Sequence, residues 1–469
     1  MSHTKTIIIG AGPAGLTAAR ELAMAGERPL VLEKRPQLGG ISRTEQHNGY
    51  RVDVGGHRYY TQHAELQRLW KEVLGPELLS VQRRSRIFYR GRFFPYPLKA
   101  YDTLTKLGVT ESALAFASYL KGRMFRTAHP ETLEEWMVGR FGRRLYRMFF
   151  QNYTRKLWGR DGSKIRSDWA AQRIGKFSML GALRNALTGN GTAKTLTPRF
   201  LYPRLGSGMM WEEFGKETEK AGGVVWRNAE VVELKRDGTK IEAVVVSREK
   251  GAHQEEIPVD SVLSTMPLAE LIFRMNPAPP EEVVEAARNL HHRAFVQVNL
   301  ILDKAEVCPD QWIYLPQKTL TAGRIQNFTN WSPALVPDQG RSLLGVEYFC
   351  DEGDSLWQRG REKLVSAARC DLERIGLCGP EDVIDGSVTR EPHAYPVYSL
   401  DYHRHLDVVR GFLRGMLNLE TAGRNGLHRY NNMDHSMLTG RLGVENLRGA
   451  SHDLWKIRLN ALDGGSAGE

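Results

Sequence analysis

The pattern of apolar and polar residues predicts three kinds of structure along the chain. Near the start, a β-branched run at 6–9 and an apolar run at 29–32 flank a helical pattern that ends at Gly26. Short continuous apolar runs are typical of buried parallel strands, and a helix between two of them indicates a βαβ unit. This part of the chain therefore predicts a parallel sheet of the Rossmann type.

The middle and later parts of the chain have different periods. From about 104 to 186, apolar residues recur at helical spacing, as at Phe149 and Tyr153. Strand-like runs follow at 222–266 and at 294–348, and we assign the second group to an antiparallel sheet. The pattern thus predicts an α/β fold with a helical insert and a second sheet.

The composition is ordinary for a globular protein except for the net charge. Of the 469 residues, 41% are hydrophobic and 25% are charged, which excludes a wholly disordered chain. Apolar runs stay shorter than the roughly 18–20 residues of a membrane span, and the four cysteines form no CxxC pair. We therefore expect a cytoplasmic protein with no secretory signal, no disulfide scaffold and no metal site. The formal net charge of +11 favours an anionic partner.

A glycine-rich turn joins the first predicted strand to the first predicted helix. It reads Gly10-Ala11-Gly12-Pro13-Ala14-Gly15. Gly10 permits the tight turn, Gly12 lets a diphosphate approach the backbone, and Gly15 lets the helix pack on the strand. The free N–H groups and positive dipole end of the helix favour that diphosphate. Because the turn lies between a strand and a helix, it predicts a dinucleotide site.

Glu33 ends the second predicted strand, where its carboxylate would accept hydrogen bonds from ribose hydroxyls. A carboxylate at this place argues against NADP as the ligand of this half. The following run, Glu33-Lys34-Arg35-Pro36-Gln37-Leu38-Gly39-Gly40, resembles the E-(K/R)-x-x-x-x-G-G extension of a flavoprotein superfamily. That superfamily holds amine oxidases, phytoene desaturases, protoporphyrinogen oxidases and UDP-galactopyranose mutases. The resemblance implies a non-covalent FAD, with Arg43 balancing the charge of its diphosphate.

With FAD as the expected cofactor, the fold class we predict is α/β: a Rossmann-type FAD-binding domain with a helical insert and an antiparallel-sheet substrate domain. The substrate cleft is expected between these parts. The predicted boundaries are 1–85, 200–290 and 400–455 for the discontinuous FAD-binding domain, 86–199 for the helical insert, 291–399 for the antiparallel-sheet substrate domain, and 456–469 for a flexible tail.

Further segments resemble UDP-galactopyranose mutases, especially those of the eukaryotic type. The first is Asp53-Val54-Gly55-Gly56-His57-Arg58-Tyr59-Tyr60-Thr61, which is similar to the D-x-G-G-H-x-x-(F/Y) loop of that family. The others follow in the family's order, and they are 91–97, 152–158, 169–173, 202–208, 264–266, 323–333, 394–396 and 423–435. A shared flavin site would produce only the first and last of these matches, so the middle ones point to a shared substrate region.

The mutase resemblance implies an isomerase that interconverts pyranose and furanose forms of a nucleotide sugar. In such enzymes N5 of reduced FAD acts as a nucleophile on the anomeric carbon and expels the nucleoside diphosphate, which later returns with no net redox change. NAD(P)H or another donor would be needed to reduce the flavin. The expected partner is therefore a small-molecule nucleotide sugar.

The same resemblance implies roles for individual residues. Arg173 and Arg324 match the pair of diphosphate-binding arginines and His57 matches the flavin-side histidine, so these three form the expected catalytic set. The expected substrate-binding residues are Tyr96, Lys99, Trp158, Asn330, Trp331, Tyr395 and Tyr430. The expected cofactor-binding residues are Gly10, Gly12, Pro13, Ala14, Gly15, Glu33, Lys34, Gly39, Gly40, Arg43, Gly55, Gly56, His57, Gly423, Arg424, Asn432, Met433 and Asp434. Within this set, the run 432–435 predicts a helix N-terminus that stabilises negative charge on the flavin.

Three residues depart from the family's pattern. Trp331 stands where eukaryotic-type mutases usually carry tyrosine, and His428 stands where they often carry another aromatic residue. Lys99 stands where an amide would recognise uracil, and an ammonium group cannot reproduce an amide's donor and acceptor pair. The base and the sugar are therefore left open.

Other functions stay open beside the mutase. The alternative to the mutase is an FAD-dependent oxidoreductase, similar to amine oxidases or protoporphyrinogen oxidases, that acts on a modified sugar, an amine or a porphyrinogen. Arginines and aromatic residues alternate at 83–92 and 140–160, which is also typical of nucleic-acid binding. We interpret them instead as solvated helix faces over an aromatic core and expect no nucleic acid. Peripheral contact with anionic lipid and the oligomeric state are not decided by the sequence.

Overall fold

A computed structural model of the chain describes residues 6–98, 100–168, 170, 199–248, 251 and 253–457. All but the first two residues of the predicted flexible tail at 456–469 lie outside this part. Among the described residues, no helix combines the length and the apolar character needed to cross a membrane.

The strands and helices have the following bounds. The strands are β1 (Thr6–Ile9), β2 (Leu30–Glu33), β3 (Thr44–His47), β4 (Tyr50–Asp53), β5 (Leu78–Gln82), β6 (Ser85–Tyr89), β7 (Arg92–Pro95), β8 (Arg199–Pro203), β9 (Val224–Arg227), β10 (Ala229–Asp237), β11 (Lys240–Arg248), β12 (His253–Pro258), β13 (Ser261–Ser264), β14 (Met275–Asn276), β15 (His292–Leu302), β16 (Trp312–Tyr314), β17 (Arg324–Asn327), β18 (Ser342–Cys350), β19 (Val383–Pro396) and β20 (Leu419–Thr421). The helices are α1 (Pro13–Met24), α2 (Ala64–Leu74), α3 (Ala100–Leu107), α4 (Val109–Met124), α5 (Leu133–Leu145), α6 (Gln151–Trp158), α7 (Gly208–Lys220), α8 (Leu268–Phe273), α9 (Glu281–Arg288), α10 (Arg361–Arg374), α11 (Tyr402–Arg414), α12 (Gly423–Gly426) and α13 (Met433–Leu447).

A parallel sheet with the order β20-β13-β1-β2-β9 forms the first part of the fold. Its central strands are buried on both faces, which is why they consist of continuous apolar runs. Ile8 and Val31 pack against α1, α7 and α13 on one face. Ile7 and Leu32 pack on the other face, against the four-stranded sheet β12-β11-β10-β14. The predicted Rossmann-type α/β fold is confirmed.

A seven-stranded sheet with the order β19-β15-β18-β17-β16-β6-β7 forms the second part. Its pairs are antiparallel except β16 with β6, which run parallel. β6 and β7 fall at the start of the segment 86–199 that we assigned to the helical insert, but they extend this sheet instead. They do so because Phe88 joins the sheet's own core and packs against Phe93. The seven-stranded sheet thus begins earlier in the chain than the sequence pattern indicates.

The helical insert covers one side of this second sheet. α5 begins at a capping box in which Thr132 accepts from the N–H of Glu135 and Glu135 accepts from the N–H of Thr132. A π-helical turn at Tyr146–Phe150 separates α5 from α6. Trp136 and Phe149 of this region pack in one cluster with residues of the seven-stranded sheet. The insert therefore forms a wall over the sheet rather than a separate lobe.

Candidate active site

One cavity of about 590 Å³ lies where the parallel sheet, the seven-stranded sheet and the helical insert meet. This size suits a bound small molecule. One part of its lining comes from the glycine-rich turn and its neighbours, and we call this part the glycine wall: Gly10, Gly12, Glu33, Gly40 and Asn432. A second part carries five arginines, and we call it the arginine wall: Arg58, Arg83, Arg199, Arg324 and Arg424.

The glycine wall is shaped by two close backbone contacts. Gly10 has a φ of +93°, which L side chains rarely adopt, and a Cβ there would lie 2.4 Å from Oγ1 of Thr265. A Cβ on Gly15 would lie 1.9 Å from the carbonyl oxygen of Gly10. Both positions therefore require glycine, and together they turn the chain from β1 directly into α1.

Two helix N-termini point into the glycine wall. α1 has Gly12 as its N-cap and α13 has Asn432, and neither receives a side-chain cap from the described residues. The two helices approach closely because a Cβ on Gly440 would lie 2.1 Å from the carbonyl oxygen of Ala14. Uncapped N–H groups with the positive dipole ends of two helices form a site for a diphosphate.

Glu33 is buried at the end of β2 and lines the cavity. Its carboxylate accepts from the N–H of Ala11 at 2.8 Å and from the N–H of Arg35 at 2.9 Å. Burial raises the pKa of Glu33, although these hydrogen bonds oppose the rise. The carboxylate keeps further lone pairs, so it can also accept from the hydroxyl groups of a ribose.

Gly39 and Gly40 take positive φ values and bring the next loop against the glycine-rich turn. A Cβ on Gly40 would lie 3.2 Å from Cα of Gly12, whereas a Cβ on Gly39 would meet Trp211 at 2.6 Å. Only Gly40 lines the cavity. Gly39 is needed for packing behind it.

Arg43 does not line the cavity, although we expected it beside the diphosphate. Its guanidinium group is buried and donates to Glu391 at 2.8 Å and to Glu45 at 2.9 Å. Burial alone would lower the pKa of Arg43, but the two carboxylates raise it. The residue therefore ties the loop after β2 to β19.

The loop after β4 brings His57 to the cavity. Its Nε2 lies 2.9 Å from the carbonyl oxygen of Val54 and 3.0 Å from that of Ile41, so this nitrogen carries the proton and donates. Burial, followed by the charges of Arg424 and Arg324, lowers the pKa of His57 to about 4. The imidazole is therefore neutral at physiological pH, and Nδ1 is left as an acceptor. Gly56 lets this loop run close to Trp312, since a Cβ there would lie 2.4 Å from the Trp312 ring.

Arg324 lies at the start of β17 with its guanidinium group buried in the arginine wall. Nε donates to Glu347 at 2.5 Å, and Nη2 donates to the hydroxyl of Tyr395. Its Cζ lies 4.8 Å from the centre of the Phe349 ring and 5.2 Å from that of Trp312. Burial alone would lower the pKa of Arg324, but Glu347 and the surrounding tyrosines raise it well above its ordinary value.

Tyr395 and Tyr430 stack beside this arginine with ring centres 5.5 Å apart. Arg424 lies beside both rings, with its Cζ 4.4 Å from the ring centre of Tyr430 and 5.9 Å from that of Tyr395. Its guanidinium group donates to the carbonyl oxygens of Asn431 and Ala394, each at 3.0 Å. Burial raises the pKa of Tyr395, so its hydroxyl stays protonated. Two cations thus contact a pair of stacked phenols.

The helical insert supplies an aromatic side of the cavity. Trp158 is buried and stacks on Tyr398, with ring centres 6.2 Å apart. Tyr96 packs against Tyr314 at 4.8 Å, and Tyr153 contacts Tyr314 at 5.6 Å. This side offers flat apolar surfaces on which a base or a sugar ring can stack.

The structure brings most of the predicted site residues into this one cavity. Asn330 and Trp331 lie outside it: Asn330 donates to the carbonyl oxygens of Cys308 and Asp310, and the indole N–H of Trp331 donates to that of Gln311. Both thus support the protein core. The predicted residues that do line the cavity are Gly10, Gly12, Pro13, Ala14, Glu33, Lys34, Gly40, Gly55, Gly56, His57, Tyr96, Trp158, Arg324, Tyr395, Gly423, Arg424, Tyr430, Asn432 and Met433.

Four other predicted residues are placed behind the lining or cannot be placed. Gly15 packs against Gly10, and Asp434 is buried beside His435, to which its carboxylate is hydrogen-bonded at 2.8 Å. Arg173 and Lys99 lie outside the described residues. Their roles therefore stay predictions.

Sequence reasoning missed several lining residues of the arginine wall. Arg58 follows His57 directly, but the sequence assigned it no role. Trp312 and Tyr314 alternate on β16, a pattern that any half-buried strand shows. Arg83 directly follows β5, and Arg199 is the first residue of β8. The two strands pair with Gln82 opposite Arg199. Only the pairing of distant strands reveals them as neighbours.

The residues present fit a flavin dinucleotide. Gly12 and Gly40 leave space that side chains would fill, and Glu33 stands where a ribose would be held. Asn431 is buried at the cavity lining, and both polar atoms of its side chain lack a hydrogen-bond partner among the described residues. Beside such a dinucleotide, the arginine wall can bind and hold an anion.

Comparison with known families agrees with this geometry. The sequence model of the flavin containing amine oxidoreductases matches residues 13–409. A probable UDP-galactopyranose mutase of Klebsiella pneumoniae is 28% identical over 171 residues, which cover 35% of this chain and 44% of that protein. The pseudooxynicotine dehydrogenase of a Pseudomonas species is 44% identical over 69 residues, 14% of this chain and 13% of that protein. The chain thus matches less than half the length of these curated relatives.

Solved structures show the same fold. A crystal structure of reduced UDP-galactopyranose mutase superimposes with a TM-score of 0.82 at 20% identity, covering 96% of this chain and 94% of that one. A putative protoporphyrinogen oxidase from Exiguobacterium sp. 255-15 superimposes with a TM-score of 0.72 at 18% identity, covering 95% and 99%. At these identities the likeness establishes the architecture.

Proposed function

The chain belongs to the family of flavin-containing amine oxidoreductases, and we propose that within this family it is a nucleotide-sugar pyranose/furanose mutase rather than an oxidase. It is a flavin-dependent enzyme, and FAD would lie along the glycine wall. Gly10, Gly12 and Gly40 would let its diphosphate approach the backbone, and Glu33 would hold its ribose. When bound and reduced, the flavin supplies a nucleophile for the anomeric carbon of a sugar.

One observation carries the choice of a mutase: the wall beside the His57 loop is cationic. Arg324 and Arg424 flank the stacked Tyr395 and Tyr430 in the same cavity. A wall of fixed guanidinium groups repels an ammonium substrate and attracts a diphosphate. An amine oxidase needs the opposite preference. The partial match to a curated mutase supports the same choice.

Arg324 would hold the leaving diphosphate in a fixed position. Glu347 and Tyr395 orient its guanidinium group, which costs little reorganisation when negative charge develops on the departing oxygen. The protonated hydroxyls of Tyr395 and Tyr430 can donate to the same phosphate oxygens. A diphosphate held in this way remains close enough to return after the sugar ring has opened and closed.

His57 would act as a neutral acceptor toward the flavin. Its Nε2–H is fixed by the carbonyl oxygens of Val54 and Ile41, so Nδ1 faces away from them. Because its pKa is lowered to about 4, the imidazole adds no positive charge to the site at physiological pH. Arg424, whose charge acts on His57, is the cation that would favour an anionic reduced flavin.

Substrate oxidation is the second candidate function. Met137, Phe149 and Phe150 give the cavity an apolar side that suits a flat hydrophobic substrate such as a porphyrinogen. Oxidoreductases are also among the related structures. This candidate requires that the substrate reduces the flavin and that an acceptor is consumed in equal amount.

The test is anaerobic incubation of dithionite-reduced enzyme with a panel of UDP-, dTDP- and GDP-sugars, followed by NMR of the sugar ring. We expect isomerisation of at least one sugar, with the flavin reduced at the start and at the end. The variant Arg324→Lys should lose at least tenfold in rate, since an ammonium group cannot bind phosphate and Glu347 in a fork. Exposed Arg84→Lys is the matched control. Absence of any isomer, with stoichiometric acceptor reduction by an amine or porphyrinogen, would establish the second candidate instead.

A further inference from the structure

Three arginines of the arginine wall have no carboxylate partner among the described residues, and we call them the arginine trio: Arg58, Arg83 and Arg199. Arg199 is exposed and donates to Oγ of Ser80 at 2.8 Å and to its carbonyl oxygen at 2.6 Å. In the described ranges, no Asp or Glu oxygen lies within ion-pair distance of any of the three. The stretch 171–198 between β8 and the insert contains no Asp or Glu at all, so it cannot supply a carboxylate. The trio lines the same cavity as Arg324.

Backbone pairing brings together the three distant segments that carry these arginines. β5 pairs with β8 so that Gln82 lies opposite Arg199, and Arg83 follows Gln82 directly. The residue after Arg58 is Tyr59, which forms an isolated bridge with Leu201 of β8. The loop that carries His57 is thereby fixed to the strand that carries Arg199.

Arg58 is enclosed by aromatic rings. Its Cζ lies 5.0 Å from the ring centre of Trp312, 5.2 Å from that of Phe200 and 5.5 Å from that of Trp331. Nη2 donates to Oγ of Ser85 at 3.0 Å, while Nε is buried without a partner among the described residues. Burial, followed by the charge of Arg83, lowers the pKa of Arg58 to about 10. The group is therefore still a cation at neutral pH, but one held in unfavourable surroundings.

Trp312 separates this cation from the one proposed to hold the diphosphate. Arg58 and Arg324 both lie about 5 Å from the same indole ring. Arg324 has the carboxylate of Glu347 as a partner, whereas Arg58 has no carboxylate partner among the described residues. The cavity thus places two cationic groups beside one aromatic ring, so a ligand whose diphosphate binds Arg324 has a second cationic subsite next to it.

We propose that the substrate is a nucleotide sugar whose sugar ring itself bears an acidic group, a carboxylate, which binds the arginine trio while the diphosphate binds Arg324. This rests on the proposed mutase function and names its substrate class. Guanidinium groups bind carboxylates in a fork, and the arriving carboxylate supplies the negative charge that the trio lacks. A neutral sugar would leave the trio unbalanced, so the same wall selects against it.

The experiment measures binding of matched pairs of nucleotide sugars to the flavin-loaded enzyme by calorimetry. The pairs are UDP-galactose with UDP-galacturonate, UDP-glucose with UDP-glucuronate, and GDP-mannose with GDP-mannuronate; UDP alone is the reference. We expect one acidic member to bind at least tenfold more tightly than its neutral partner. In Arg58→Gln and in Arg83→Gln that ratio should fall toward one, while the affinity for UDP alone stays within twofold. Arg58→Lys should retain part of the ratio, and exposed Arg84→Gln should leave it unchanged.

The outcomes separate this inference from the function on which it rests. If UDP or GDP ligands bind but acidic and neutral members bind equally, the acidic-sugar inference is wrong and the mutase proposal stands. If no nucleotide or nucleotide sugar binds, the mutase proposal is wrong. The 2′-phosphate of a reducing cofactor is another anion of the same chemistry. A change only in the preference for NADPH over NADH in the Arg58 and Arg83 variants would assign the trio to the reductant and overturn the inference.

Discussion

The two walls of the cavity differ in whether their charged groups have partners within the protein. Behind and along the glycine wall, buried charges meet protein partners: Glu33 accepts from two backbone N–H groups, and Arg43 pairs with Glu391 and Glu45. On the arginine wall, and among the described residues, only Arg324 has a carboxylate partner.

This difference distinguishes a surface for a resident cofactor from a surface for an exchanging ligand. Backbone dipoles suit a diphosphate that stays bound, because they need no counter-charge when the site is built. Guanidinium groups without a protein carboxylate attract an anion from solution, and they are free to attract the next one once it has left. Where a buried charged group lacks a protein partner, the ligand is expected to bring the opposite charge.

The largest expected effect on cofactor binding comes from filling the backbone contact of the glycine wall. In Gly15→Ala, the new Cβ would overlap the carbonyl oxygen of Gly10 at 1.9 Å. Because that contact is between backbone atoms, the turn must shift, and we expect loss of most bound flavin and about 3 kcal/mol of stability. The measurement is the ratio of flavin to protein by absorbance, together with the melting temperature.

Gly411→Ala is the control for that change. Gly411 is exposed in α11, and a Cβ there would meet nothing within 4 Å. Alanine at such a site should leave flavin content unchanged and raise stability by about 0.5–1 kcal/mol. Equal flavin content in the two variants would show that the glycine wall is not the cofactor surface.

The second prediction removes the carboxylate partner of Arg324, so that Arg324, like Arg58, has none among the described residues. In Glu347→Gln the buried guanidinium group loses its charged partner, and breaking one side of a buried ion pair costs about 3–5 kcal/mol. Part of this loss should return when UDP is added, because its diphosphate replaces the missing charge. Thermal unfolding with and without UDP measures both effects.

Glu420→Gln serves as the matched variant for Glu347→Gln. Burial raises the pKa of Glu420 to about 7, with no arginine or lysine contributing to that pKa. Removing its charge should therefore be neutral or stabilising, and UDP should not alter the result. A similar loss in both variants would mean that any buried glutamate matters equally, whatever its partner.

The third prediction concerns a buried carboxylate held by hydrogen bonds alone. Asp53 accepts from Thr44, Tyr202 and the N–H of Ser207, and burial raises its pKa to about 6. A raised carboxyl pKa means that the folded state binds the proton more tightly than the unfolded state, so stability falls as the pH rises from about 4 to about 6.

Asp53→Asn should remove this dependence. Relative to the variant, the wild type is expected to lose about 1–3 kcal/mol between pH 4.5 and pH 7.5. Denaturant midpoints of both proteins at the two pH values measure it. Parallel profiles would show that Asp53 titrates as an ordinary aspartate.

The sequence was sufficient for the glycine wall because its signals are local. The turn from Gly10 to Gly15 and the N-terminus of α13 at Asn432 are determined by neighbouring residues, and they lie where the pattern predicts them. The arginine wall depends on distant pairings, such as Gln82 with Arg199, which no local period reveals. For the same reason β6 and β7 were assigned to the helical insert, although they join β16 across more than 200 residues of chain.

The smallest expected effect on stability comes from removing the unbalanced cation itself. In Arg58→Met an apolar chain of similar length replaces a guanidinium group that burial already disfavours, as its pKa of about 10 indicates. The lost contacts with Trp312 and Phe200 oppose this gain at roughly 0.5–1 kcal/mol each. We therefore expect the ligand-free enzyme to change by less than about 1 kcal/mol, in contrast to Glu347→Gln, while its affinity for the acidic sugar nucleotide falls at least tenfold. Thermal unfolding of the two variants side by side is the measurement. Should Arg58→Met lose as much stability as Glu347→Gln, Arg58 is a structural cation, and the two walls hold charge in the same way after all.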